Sequence, residues 1–151
     1  MKKTQETLRN QDNIKAAVLY MAFELSLKKW KMAFSNGEKM RTVTVDARNL
    51  SQLQEEIDEA KQRFEFGDDV RMMSCYEAGR DGFWLHRYLL SSGIENVVVD
   101  SASIEVNRRK RRAKTDRIDV RKLMHMLLRY SKSYRFYRRG AFLNRFEKAR
   151  I

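Results

Sequence analysis

The segment Arg108-Arg109-Lys110-Arg111-Arg112-Ala113-Lys114-Thr115-Asp116-Arg117-Ile118-Asp119 sets a dense cationic run directly against two aspartates three residues apart. Lysines and arginines recruit a polyanion by neutralising its phosphates, and paired carboxylates offer hard oxygen ligands to a divalent cation. The two together point to metal-assisted phosphoryl transfer on a nucleic acid. Each also has a plainer reading when taken alone. Asp116 can simply complement a helix dipole, Asp119 can join an i,i+4 pattern with arginines, and a basic run is most often a solvated segment.

Charge divides the 151-residue chain. Residues 107–151 hold 17 Lys/Arg against 3 Asp/Glu, a net of +14, whereas residues 1–106 hold 15 against 17, a net of −2, within a total of +12. This asymmetry marks the C-terminal segment as an electrostatic footprint for DNA or RNA. No apolar run reaches the 18 or more residues of a membrane-spanning helix, and the basic segment lacks the continuous apolar face that would lie in a bilayer. The polar start, Met1-Lys2-Lys3-Thr4-Gln5-Glu6, has no signal-peptide core. Cys75 is single and forms no internal disulfide. A cytoplasmic protein with no membrane partner is the expectation.

The elements that must position the acids follow from periodicity and turn chemistry. A polar leader covers residues 1–15. The apolar run Ala16 to Leu25 is ambiguous by itself, but it precedes an alternating segment, Lys29 to Phe34, a turn at Ser35-Asn36-Gly37-Glu38, and the β-branched Arg41 to Asp46. That context predicts a three-stranded meander. Ser51-x-x-Gln54 has the form of a capping box, and Leu53, Ile57, Ala60 and Phe64 fall on one stripe, predicting a helix over about 51–64. Val70 to Tyr76 reads as a buried strand, Phe83 to Leu90 as a helix closed by Gly93, and residues 96–100 as a short interior strand. A helix from Asp116 to Tyr130, capped by Thr115, follows the basic arm of residues 107–115.

This βββαβαβ order, then arm, then helix, matches a ribonuclease-H-like α/β architecture, a mixed sheet with helices on its faces. More specifically, Phe23-Glu24-Leu25-Ser26, Cys75-Tyr76-Glu77-Ala78-Gly79-Arg80-Asp81-Gly82 with Gly93-Ile94, and Arg112-Ala113-Lys114-Thr115-Asp116-Arg117-Ile118-Asp119 resemble the N-terminal, RuvC-like domain of the DEDD transposases, relatives of the Piv invertase. The resemblance covers roughly residues 17–130. It implies a domain over 16–130, DNA as substrate, Mg²⁺ or Mn²⁺ as cofactor, and Glu24, Glu77, Asp116 and Asp119 as catalytic metal ligands. Arg108, Arg109, Lys110, Arg111, Arg112, Lys114 and Arg117 would then bind phosphates. Some members are guided by a bridge RNA, and a homo-oligomer is implied for a full-length protein.

Two departures shape the expectation. The family's usual first acid is aspartate, whereas Glu24 is one methylene longer. The family also carries a C-terminal domain with a serine nucleophile, which these residues do not include, so the expectation is a truncated catalytic-type domain that needs a second domain for full recombination. Residues 131–151 form a basic tail whose interleaved aromatics and arginines read either as a single-strand-binding surface or as an out-of-frame remnant. Two further functional classes stay open: a non-catalytic DNA- or RNA-binding fragment, and a stand-alone RuvC-like nuclease acting on branched DNA. His86 and His125 are single and separated, Cys75 reads as buried, and Trp30, Phe83 and Trp84 read as core.

Overall fold

The computed structural model describes residues 17–79, 82–100 and 118–137, without the side chains of 133–137. Its elements are β1 (Val18–Glu24), β2 (Lys29–Ser35), β3 (Met40–Asp46), α1 (Leu50–Arg63), β4 (Arg71–Glu77), α2 (Trp84–Ser91), β5 (Glu95–Val99) and α3 (Val120–Tyr137). The order is the one the sequence predicts. The strands form one five-stranded sheet in the order β3-β2-β1-β4-β5. β1–β2 and β2–β3 pair antiparallel, while β1–β4 and β4–β5 pair parallel.

β1 lies at the centre of this sheet and is buried on both faces from Val18 to Phe23. This is why it shows an unbroken apolar run rather than an alternation. On one face Leu19, Met21 and Phe23 join Trp30, Met32, Phe34 and Tyr76 under α1 and α2, which contribute Leu53, Ile57, Ala60, Leu85 and Leu89. On the other face Tyr20, Ala22, Ala33, Met73 and Cys75 meet Val120, Leu123, Met124 and Leu127 of α3. The small residues Ala22, Ala33 and Cys75 let α3 approach closely, and the Cys75 thiol donates to the Leu123 carbonyl at 3.5 Å.

Three local features stop the elements where they do. Gly37 and Gly93 have positive φ, 99° and 78°, a region L side chains avoid. At Gly93 the chain closes α2 with a paired motif, Gly93 N–H to Leu90 carbonyl and Ile94 N–H to Leu89 carbonyl. At the start of α1 the cap differs from expectation. Asn49, not Ser51, is the N-cap: its backbone is extended and its side chain accepts from the Gln52 N–H at 3.0 Å. The Gln52 side chain in turn accepts from the Asp46 N–H at 2.8 Å. The N-cap therefore sits two residues earlier than the predicted one, and Ser51 is already helical.

The last helix also departs from its predicted span of 116–130. Its described start is Val120, and it continues to Tyr137. Asp119 heads it: its Oδ1 accepts from the Arg121 N–H at 2.7 Å and its carbonyl accepts from the Leu123 N–H at 3.0 Å. Ile118 is not helical because it is buried against the sheet and its N–H donates to a Glu77 carboxylate oxygen instead of a helical carbonyl. Thr115, the predicted cap, lies outside the described residues.

Replacing a side-chain N-cap by alanine costs about 0.5–2 kcal/mol. Asn49→Ala is expected to lower unfolding stability by that amount in denaturant titration, while Ser51→Ala changes it by less than about 0.5 kcal/mol, as exposed substitutions do.

Candidate nucleic-acid-processing site

The parallel register of β1 and β4 ends with Phe23 opposite Tyr76. The next residues, Glu24 and Glu77, therefore close adjacent strands side by side, with backbones roughly 4.8 Å apart. Alternation along each strand puts both on the face that α3 covers, since Tyr20 and Ala22, and likewise Met73 and Cys75, belong to that layer. Both are partly buried. The α3 face at the C-terminal edge of the central strands thus carries a pair of neighbouring carboxylates.

Glu77 is tied to the approach of α3. Its Oε2 accepts from the Ile118 N–H at 3.1 Å, which leaves Oε1 for another partner. Asp119 follows one residue later, exposed at the N-cap with Oδ1 engaged by the Arg121 N–H. Asp119 stands just before the described helix, rather than inside a helix of the expected span 116–130. Asp116, Arg108, Arg109, Lys110, Arg111, Arg112, Lys114 and Arg117 lie outside the described residues. Among the described residues, no group of three or more His, Cys, Asp or Glu side chains could hold a metal ion. The pair at the edge, Glu24 and Glu77, offers oxygen atoms alone, the donor type that suits a hard divalent cation.

Two cationic features escape a motif-based reading. Lys31 is the cross-strand partner of Glu24 in the antiparallel β1–β2 pair and is exposed; its signal was only the alternation of β2. Arg121, Lys122, Arg129 and Lys132 are exposed along α3, and their signal was the 3.6-residue spacing in a segment without acids.

The other chemistry-bearing side chains are structural. His86 is buried, with Nδ1 2.9 Å from Asn96 Nδ2, and Asn96 Oδ1 accepts from Ser74 Oγ at 2.8 Å. That chain of polar contacts ties α2 to β5 and β4. His125 is exposed on α3. Trp30 is fully buried with its ring centroid 6.0 Å from that of Trp84, so these rings stabilise the core, whereas Phe83 is exposed. Met73 and Met124 are core residues; Met72 and Met126 pack at its margin. Cys75 is buried, and desolvation pushes its thiol up to about 12 from the ordinary 9.0. It is a neutral packing group rather than a nucleophile.

No family model matches the chain. It is similar to the protein named "Putative transposase y4rJ" of Sinorhizobium fredii (strain NBRC 101917 / NGR234), with 40% identity over 124 residues, covering 79% of this chain and 31% of that relative. The chain therefore spans less than a third of that relative's length. Among the described residues no helix is long and apolar enough to cross a membrane.

Burial of the Cys75 thiol makes folding stability depend on pH. Because the folded thiol holds its proton to about 12 while the unfolded one releases it near 9.0, folding stability is unaffected by this group below pH 9 and falls as pH rises from there towards 12. At pH 8 the thiol is expected to resist iodoacetamide in the folded protein and to react once guanidinium unfolds it. Rapid alkylation of the folded chain would refute the assignment.

Proposed function

We propose that this chain is the catalytic-type domain of a DNA transposase with a ribonuclease-H-like fold, and that it works on phosphodiester bonds at the edge formed by β1, β4 and the start of α3. The observation that carries this reading is the side-by-side ending of Glu24 and Glu77 on the face covered by α3. Two ionised carboxylates placed together repel each other, and a bound cation turns that repulsion into attraction. Similarity to a transposase-named protein supports the substrate class. The sheet order and element order are compatible with the ribonuclease-H-like fold, and the DEDD motif resemblance supplies the remaining acids.

In this reading Glu24, Glu77, Asp119 and Asp116 would hold Mg²⁺ or Mn²⁺. The metal, when bound, supplies activation of the attacking oxygen and charge stabilisation of the leaving one. The protein's own residues do the positioning. Glu77 fixes the start of α3 through the Ile118 N–H, and the Asp119 cap fixes the first turn, so Glu77 and Asp119 are held at the ends of packed elements. Lys31, exposed beside Glu24, is placed to meet a phosphate that approaches the edge. Arg108 to Lys114 and Arg117 would neutralise the flanking backbone. DNA is the substrate in this proposal; a guide RNA and self-association are implied by the resemblance alone. Full transposition would need a further domain with a nucleophile.

A second reading is a nucleic-acid-binding domain without turnover. The exposed cations of α3, Arg121, Lys122, Arg129 and Lys132, are enough for it.

The two readings separate in a nicking assay on supercoiled and branched DNA with Mg²⁺ or Mn²⁺. Metal-dependent scission is expected, lowered by about 10²-fold or more in Glu24→Gln and in Glu77→Gln, since even about 1 Å of misplacement costs that much. Glu24→Asp, which keeps the charge, is expected to retain measurable scission. DNA binding with no scission under any metal would select the second reading.

A further inference from the structure

We propose that the outward face of α3 is a docking track for the backbone of duplex DNA, leading away from the acidic edge. This inference rests on the reading of the domain as one that acts on DNA, and adds a surface separate from the basic run before the helix.

α3 contains no Asp or Glu from Val120 to Tyr137. Val120, Leu123, Met124, Leu127 and Ser131 are buried against the sheet, whereas Arg121, Lys122, His125, Arg129 and Lys132 are exposed. At 3.6 residues per turn these five fall within an arc of about 100° on the side opposite the buried residues. A merely solvated helix face usually interleaves opposite charges at i,i+4, because like pairs at that spacing cost a few tenths of a kcal/mol each. Here no opposite charge accompanies Arg121, Lys122, Arg129 and Lys132, and none of these side chains forms an ion pair among the described residues. A polyanion supplies the missing opposite charge.

The fold fixes the direction of the track. Ile118 bonds Glu77 at the C-terminal end of β4, while Ser131 Oγ lies 3.0 Å from the Tyr20 hydroxyl near the start of β1. α3 therefore runs antiparallel to β1 and β4, and its cations extend back from the acidic edge. Arg121 to Lys132 spans roughly 16 Å at 1.5 Å per residue, about five base-pair steps of duplex at ~3.4 Å each. The described part of this stripe carries no exposed aromatic side chain, and stacking platforms are what single-strand grooves use. A rigid, evenly cationic line fits the phosphates of a duplex.

The opposite side of the sheet has mixed charge with an acidic excess. Glu55 and Asp58 on α1, and Glu65, Asp68 and Asp69 after it, are exposed, against Arg48, Arg63 and Arg87. The charge distribution thus directs a polyanion to the α3 face, the side on which Glu24 and Glu77 lie.

The test is the salt dependence of binding by fluorescence anisotropy, with labelled duplex DNA, single-stranded DNA and an RNA hairpin, in EDTA so that no strand is cut. The full chain is compared with Arg121→Gln/Lys122→Gln/Arg129→Gln/Lys132→Gln. The charge-preserving Arg121→Lys/Lys122→Arg/Arg129→Lys/Lys132→Arg controls for folding, and Arg48→Gln/Lys61→Gln/Arg63→Gln/Arg87→Gln around α1 controls for net charge. Each lost phosphate contact makes the log–log slope shallower by about 0.9, so the neutralised variant is expected to lose up to about 3.6 from its duplex slope. The charge-preserving variant keeps the slope, and the α1 variant leaves it within about 0.5 of the parent. An unchanged duplex slope in the neutralised variant, an equal loss in the α1 variant, or a loss confined to single-stranded DNA or RNA would overturn the docking track. If metal-dependent nicking persists in that case, the DNA-processing reading stands without this surface. A parent chain that binds no nucleic acid and cuts none would overturn both.

Discussion

The parallel pairing of β1 with β4 at the centre of the sheet is the constraint on which the remaining structure depends. β1 is buried on both faces, so its register cannot slip by one residue without exchanging Leu19, Met21 and Phe23 for Tyr20 and Ala22 between two layers of different shape. Leu19, Met21, Phe23, Trp30 and Tyr76 face α1 and α2, whereas the layer under α3 includes the small Ala22, Ala33 and Cys75. That difference fixes which face receives the single long helix. It also fixes the common edge at which Glu24 and Glu77 end.

The helix that closes this face is held along its length. The Ile118 N–H meets Glu77 at one end, Leu123 receives the Cys75 thiol in the middle, and Ser131 meets Tyr20 at the other end. Apolar burial of Val120, Leu123, Met124 and Leu127 supplies most of the stabilisation, at about 1.5–3 kcal/mol for each large side chain; the polar contacts set its position and direction. Stability and site geometry are coupled here, because the carboxylate that orients the start of α3 belongs to the pair at the proposed reaction edge.

The sequence disclosed the strands well for a physical reason: β2 and β3 alternate, and Gly37 and Gly93 stand where positive φ is required. The helix starts were less readable. Near α1 two overlapping capping patterns were present, and the extended backbone at Asn49 decided between them. Before α3, tertiary docking of Ile118 overrode the local helical pattern and made Asp119 a cap instead of an interior residue. The acidic site divides in the same way. The residue types of Glu24, Glu77 and Asp119 were visible in motifs, but the adjacency of Glu24 and Glu77 comes from pairing between strands about fifty residues apart in the chain, which no local pattern encodes. The cations of α3 were visible as spacing, and only the packed helix separates their exposed arc from the buried one.

The two sheet faces differ in chemistry as well as in packing, with an acidic excess outward over α1 and cations alone outward over α3. In the proposed reading this separation orients the domain toward a polyanion before any specific contact is made. In the proposed reading the adjoining ends of β1 and β4 form the nucleus of a metal site. Anomalous diffraction from crystals soaked in MnCl₂ is the measurement to make. A manganese peak is expected at the β1–β4 edge in contact with carboxylate oxygens of Glu24 and Glu77. Manganese bound only elsewhere, with none touching either carboxylate, would contradict it.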